Sequence, residues 1–132
     1  KKGDLLYGKL RPYLNKIWLA TEDGYCSTDI LPIQVNEKIL DVFLLNILRS
    51  KRFQDFSLSM SSGTKMPRAE WNEIKKFKII LPPTIDEQQK IADILLNLDV
   101  LIKQEKLYKE KLVKIKRVLM QQLLTGEKRV IV

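Results

Sequence analysis

The 132-residue sequence has no histidine, one cysteine (Cys26) and few glycines, and each scarcity closes off a class of chemistry. Without histidine, the commonest general base and the commonest metal ligand are both gone. Ser27, Ser59 and Ser61 then have no imidazole to activate them, which removes the usual hydrolase triad. A lone cysteine allows no internal disulfide and no zinc ligand set, and it fits a reducing cytosol. The glycines follow neither the G-x-x-x-x-G-K spacing of a phosphate-binding loop nor a dinucleotide-binding pattern. Long apolar runs are missing too: the most apolar stretch, Ile39 to Leu48, is broken by Asp41 and Asn46 and is too short to cross a bilayer. The opening Lys1-Lys2-Gly3-Asp4 does not read as a secretory leader, so a cytoplasmic, membrane-free chain is expected.

What is present is positive charge. Twenty-four lysines and arginines face 16 acids, for a net charge of +8. Such a surplus points first to nucleic acid, then to an acidic membrane or protein partner. A nuclease would need carboxylates and a lysine converging on a metal ion. Asp4, Glu22 and Asp29 lie on or near candidate strands, but no Asp…Glu-x-Lys arrangement joins them. The expectation is therefore a non-catalytic chain with no cofactor and no metal.

The first part alternates short strands and turns. Asp4 to Lys9 and Lys16 to Ala20 are strand candidates, with Arg11-Pro12 turning between them. Ile30 to Val35 is a third, which Pro32 restricts to an edge or a bulge. Asn36 reads as an N-cap. After it, Leu40, Phe43, Leu44, Ile47 and Leu48 follow the spacing of one buried helical face, to about Ser50. Ser57 to Met66 reads as a polar loop, Ala69 to Ile74 as a helical turn, and Phe77 to Leu81 as an apolar strand ended by the stiff Pro82-Pro83 joint.

Beyond the joint one helix is predicted. Thr84-Ile85-Asp86-Glu87 has the form of a capping box, its acids suit the positive end of the helix dipole, and Gly126 is a natural stop. With about 40 residues free of glycine and proline, the rod would be about 60 Å long. From Ile91 its a positions are Ile91, Leu98, Glu105, Leu112 and Leu119, and its d positions are Ile94, Leu101, Tyr108, Ile115 and Gln122. A rod cannot bury such a stripe on itself, so another helix is expected to cover Ile91, Ile94, Leu98, Leu101, Tyr108, Leu112, Ile115 and Leu119. The overall expectation is an α+β chain: a small mixed α/β domain, residues 1–83, one long coiled-coil-forming helix, 84–126, and a tail, 127–132.

Two basic clusters precede the helix. Lys9, Arg11 and Lys16 are interleaved with Tyr7, Tyr13 and Trp18. Arg49, Lys51 and Arg52 come later, followed across the serine-rich loop by Lys65 and Arg68. Cations neutralise phosphates, while small hydroxyls and a glycine amide can approach a nucleic acid closely. The DNA-binding candidates are therefore Lys9, Arg11, Tyr13, Lys16, Ser61, Ser62, Gly63, Thr64, Lys65 and Arg68. The Ser61–Lys65 stretch reads equally as an ordinary solvated loop. The lysines from Lys103 to Lys116 and Arg117 read as a solvated helix face.

Particular phrases carry a resemblance. Gly3 to Lys16 (GDLLYGKLRPYLNK), Tyr25 to Asp29 (YCSTD), Phe77 to Pro83 (FKIILPP), Asp86 to Ala92 (DEQQKIA) and Leu119 to Gly126 (LMQQLLTG) follow in order. Together they resemble the specificity subunit of type I restriction-modification enzymes over essentially the whole chain. The resemblance implies a target recognition domain reading half of a split DNA site, followed by a long spacer helix that packs antiparallel on a second one. It further implies partners: double-stranded DNA, DNA adenine methyltransferase (modification) subunits that use S-adenosylmethionine, and through them the restriction subunit. No chemistry of its own is implied. Because only two residues precede the Gly-Asp-x-Leu phrase, the recognition domain reads as N-terminally truncated. With one spacer helix present, self-pairing is expected. The alternative is a protein-interaction or assembly module that uses the helix without specific DNA binding.

Overall fold

Alternation of side chains settles the sheet. In β1 (Leu5–Gly8) Leu5 and Tyr7 point inward and are fully buried, while Leu6 lies on the opposite face. The strands β2 (Ile17–Leu19) and β3 (Ile30–Ile33) flank β1 on either side, both antiparallel, in the order β2-β1-β3. The register sets Tyr7 against Ile17 and Leu31, and Leu6 against Trp18 and Pro32. Inward and outward rows are thereby separated across all three strands, as the period of two requires. Pro32 sits in an edge strand, where its missing N–H can face away from the ladder.

The structure is a computed structural model describing residues 1–63 and 65–130. It divides into two compact units, Lys1–Asp93 and Ile94–Val132. In the first unit, α1 (Asp41–Arg49), α2 (Lys51–Ser59) and α3 (Trp71–Ile74) pack with the inner sheet face, and the first turns of α4 (Ile85–Leu124) join them through Gln88. The fold is α+β. Its core joins Leu5, Tyr7 and Ile17 of the sheet to Leu44, Leu45 and Leu48 of α1, Phe53 of α2, Ala69 and Ile74. Phe53 is central, with its ring edge-on to Tyr7 at 5.5 Å and to Phe77 at 5.1 Å. Burial pushes the Tyr7 phenol above its ordinary pKa, against a smaller lowering by the Ser57 hydroxyl.

Several local expectations need correction. Asn36 does not cap α1. Its Oδ1 accepts from the Lys38 N–H (3.1 Å) in a preceding turn, and the helix starts at Asp41. The polar run from Ser57 is partly helical, because α2 extends to Ser59 and turns Ser57 inward one helical turn after Phe53. Serine hydroxyls stay satisfied in a helix by donating back along it, as Ser57 does to the Gln54 carbonyl (3.2 Å). Ser50 joins the two helices, donating to the Ile47 carbonyl (2.6 Å) and accepting from the Phe53 N–H (3.3 Å). Phe77 to Leu81 forms no strand among the described residues; Phe77 and Ile79 are half-buried against the core, while Ile80 and Leu81 are exposed.

Helix α4 starts as its sequence predicts, with the Glu87 N–H donating to Thr84 Oγ1 at 3.2 Å. Gly126, at φ 75°, turns the chain beyond its end. Gln88, one turn in, is almost fully buried: its Oε1 accepts from the Leu40 N–H (2.9 Å), and its Nε2 donates to the carbonyls of Lys38 (3.0 Å) and Pro82 (3.4 Å). Ala92 is buried and Ile91 half-buried, whereas Ile94, Leu98, Leu101, Tyr108, Leu112, Ile115 and Leu119 are all exposed.

Removing Gln88 should leave enclosed backbone groups without partners, each costing roughly 1–3 kcal/mol. We expect Gln88→Ala to destabilise the first unit by about 2–4 kcal/mol in urea unfolding. A loss under about 1 kcal/mol would show these bonds to be dispensable.

Candidate nucleic-acid interface

Beyond Gly8, β1 continues as an irregular extension with a neighbour on each side. The Lys9 N–H donates to the Asp29 carbonyl (2.9 Å), and the Lys9 carbonyl accepts from the Ala69 N–H (3.0 Å). The Arg11 N–H donates to the Pro67 carbonyl (2.9 Å), and Ser62 and Arg68 exchange both backbone bonds (3.0 and 3.1 Å). The last pair closes the serine-rich loop at its base. Segments from both basic clusters, far apart in sequence, thus lie side by side along one edge of the first unit.

The turn after this extension is tight. Arg11 (φ 55°) and Asn15 (φ 41°) are both left-handed, an uncommon conformation for residues with a Cβ. They bracket a 3-10 turn, Pro12–Leu14, whose Pro12 is buried. The turn is tied to the helices from two directions: Asn15 Nδ2 donates to the Arg49 carbonyl (3.1 Å), and Gln54 Nε2 donates to the Tyr13 carbonyl (2.8 Å). Lys16 lies against Gly8, where a Cβ would come within 3.2 Å of the Lys16 Cβ. A side chain there would require Lys16 to give by a few tenths of an ångström. Gly63, at φ 93°, is needed for backbone shape.

The candidates divide by what else they do. Arg11, Tyr13, Lys16, Ser62, Gly63, Lys65 and Arg68 are exposed on or beside this edge. Lys9 is largely covered and lies 4.0 Å from Glu70 Oε2. Ser61 is half-buried, and its hydroxyl donates to the Leu58 carbonyl at the end of α2 (2.7 Å). Thr64 lies outside the described residues. Arg68 Nε donates to Asp29 Oδ1 at 3.3 Å. Arg11, Lys16 and Lys65 form no ion pair among the described residues. Two other members of the second cluster are engaged elsewhere: Lys51 pairs with Asp55 one helical turn on, and Arg52 lies over the Phe77 ring at 5.5 Å.

Sequence reasoning missed the acids. Asp29 stood out only as a candidate metal ligand and Glu70 not at all, yet both face cations of this edge. Nothing local signals a pairing across the 39 positions between Asp29 and Arg68.

The sequence profile of the Type I restriction modification DNA specificity domain matches residues 3–116. The chain belongs to that family. A 90-residue stretch is also 36% identical to the specificity subunit of the type I restriction enzyme EcoDI of Escherichia coli, covering 68% of this chain and 20% of that protein. The chain thus spans about a fifth of the length of the curated relative it matches. The matched residues take in both the basic edge and most of α4.

Side chains kept at this edge for contact rather than packing should matter little to folding. Lys65→Ala and Arg68→Ala should each change the unfolding free energy by less than about 1 kcal/mol, the range of exposed charges. Thermal or urea unfolding measures it, and a larger loss at Arg68 would mark it as a structural residue.

Proposed function

We propose that this chain is a non-catalytic DNA-recognition part of a type I restriction-modification specificity subunit. In this reading, residues 1–83 read one half of a split site, 84–126 form the spacer and pairing helix, and 127–132 are a tail. The observation that carries it is the convergence of Lys9, Arg11, Lys16, Lys65 and Arg68 on one edge, in a chain of +8 net charge. Ser62, Gly63 and Tyr13 add hydroxyls and close backbone approach. The partners are double-stranded DNA, the adenine methyltransferase subunits and, through them, the restriction subunit, in the cytoplasm. No cofactor is needed, since the chemistry belongs to the other subunits.

Arg11, Lys16 and Lys65, without acidic partners among the described residues, are suited to phosphates. If about five phosphates are neutralised, log Kd should change with log salt by a slope of about 5 in magnitude. Fluorescence anisotropy with duplex DNA from low to physiological salt measures this. Binding indifferent to salt would rule the reading out.

A second reading, an assembly module working through its helix alone, is favoured by the exposed apolar side chains from Ile94 to Leu119. Competition between random and selected duplexes, with a modification subunit present, separates the two, because only the first predicts a preferred site.

Under either reading the helix pairs. Each buried aliphatic side chain contributes roughly 1.5–3 kcal/mol, and several exceed the cost of bringing two rods together. A second copy of this helix is a suitable occupant of the stripe, and an antiparallel twofold pair would present two copies of the basic edge to a symmetric split site. Leu112→Glu sets a charge in the seam and should weaken the pair by several kcal/mol, or on the order of a hundredfold or more in Kd. Sedimentation at micromolar concentration decides it. A wild-type monomer with a fully helical tail would leave docking on another subunit as the helix's role.

A further inference from the structure

Two acids border the basic edge, and Asp29 is fixed more firmly than a surface acid needs to be. Its N–H donates to Ser27 Oγ (3.2 Å), the next N–H, of Ile30, donates to the Ser27 carbonyl (3.0 Å), and the Asp29 carbonyl accepts from Lys9 (2.9 Å). Arg68 is held as well, by its two backbone bonds with Ser62. Two anchored segments therefore meet through one side-chain contact, Arg68 Nε on Asp29 Oδ1 at 3.3 Å. Among the described residues the two η nitrogens of Arg68 have no protein partner, and the side chain is 45% exposed.

An exposed pair of this kind adds little to folding, and a carboxylate beside the cations weakens their pull on phosphate. Both facts argue against a role in stability or in general DNA attraction. What the contact does is aim. An arginine already held at Nε surrenders less rotamer freedom on docking, and its planar outer edge matches the two acceptors, O6 and N7, that guanine shows in the major groove.

Resting on the reading of this edge as a DNA interface, we propose that Asp29 is a positioning residue for sequence recognition: it holds the Arg68 guanidinium so that its outer edge donates two hydrogen bonds to one guanine. The acid opposes affinity and enforces selectivity, so its removal separates the two.

The test compares the full chain with Asp29→Asn, Arg68→Ala, Arg68→Lys and the Asp29→Asn/Arg68→Ala double variant. Each is bound to a pool of random duplexes at fixed salt and the bound fraction sequenced; affinity for one unselected duplex and the melting temperature are measured alongside. The wild type should show a guanine preference at one position that Asp29→Asn reduces about tenfold. Affinity of Asp29→Asn for the unselected duplex should hold or rise, and its melting temperature should stay within a few degrees of wild type. Arg68→Ala should lose the same preference, and the double variant should lose no more. Arg68→Lys, keeping the charge without the fork, should lose the preference while retaining unselected affinity. An Asp29→Asn variant that keeps the preference overturns the proposal, as does one that loses preference, unselected affinity and melting temperature together. A wild-type chain that binds no duplex at all overturns the interface reading itself, an outcome distinct from either.

Discussion

A carboxamide can accept and donate at once, and Gln88 uses both capacities on backbone that no ladder serves. The Leu40 N–H lies just ahead of α1, the Lys38 carbonyl in the turn before it, and the Pro82 carbonyl at the end of the extended run that follows α3. All three are irregular segments, and irregular backbone can be buried only if something satisfies it. One side chain on the first turn of α4 does so for all three. An aliphatic residue of the same size would leave those groups orphaned, and an ionised one would be desolvated. The start of α4, the entry to α1 and the proline joint are thereby fixed to one another, and the core around Phe53 closes beneath them.

The basic edge is built on the same economy of backbone. Its framework is not a sheet in the regular sense but single bonds from Lys9, Arg11 and Ala69 to their neighbours, with the Ser62–Arg68 pair closing the loop. Side chains on such a framework are free of core duties, which is why most of the cations here are exposed. Charge is graded along it: among the described residues Arg11, Lys16 and Lys65 form no ion pair, while Lys9 and Arg68 face Glu70 and Asp29. An evenly basic patch would hold any duplex. Acids set among cations make the hold of any such surface depend on where a polyanion places its groups.

How far this was legible in the sequence depended on whether the signal was local. β1 and β2 show period-two alternation, Pro32 marks an edge, and Thr84 with Gly126 brackets the long helix; all rest on residues within a turn or two of one another. The failures are tertiary. Ser57 looked like loop because its neighbours are polar, and it is buried because Phe53 four residues earlier must be. Phe77 to Leu81 has strand composition but no strand to pair with among the described residues, Phe77 and Ile79 being taken by α2 and the core. Asn36 has the chemistry of a cap and spends it on a turn, since Gln88, from far along the chain, serves the Leu40 N–H. The basic candidates were legible as residue types, and that two clusters make one edge was not, because charge carries no record of which backbone segments will meet.

The edge draws on residues 9–16, 27–30 and 61–69, and the bonds between these segments join positions roughly 20 to 60 apart. No local segment of the chain contains it. Contacts of such range form late, after the entropy of closing the intervening loops has been met. An unfolded or partly folded chain therefore carries the same charges without the arrangement, and meets a polyanion only as a diffuse polycation. A ligand that grips the arranged edge binds the native state alone, and so draws the folding equilibrium toward it in proportion to the logarithm of its concentration over Kd.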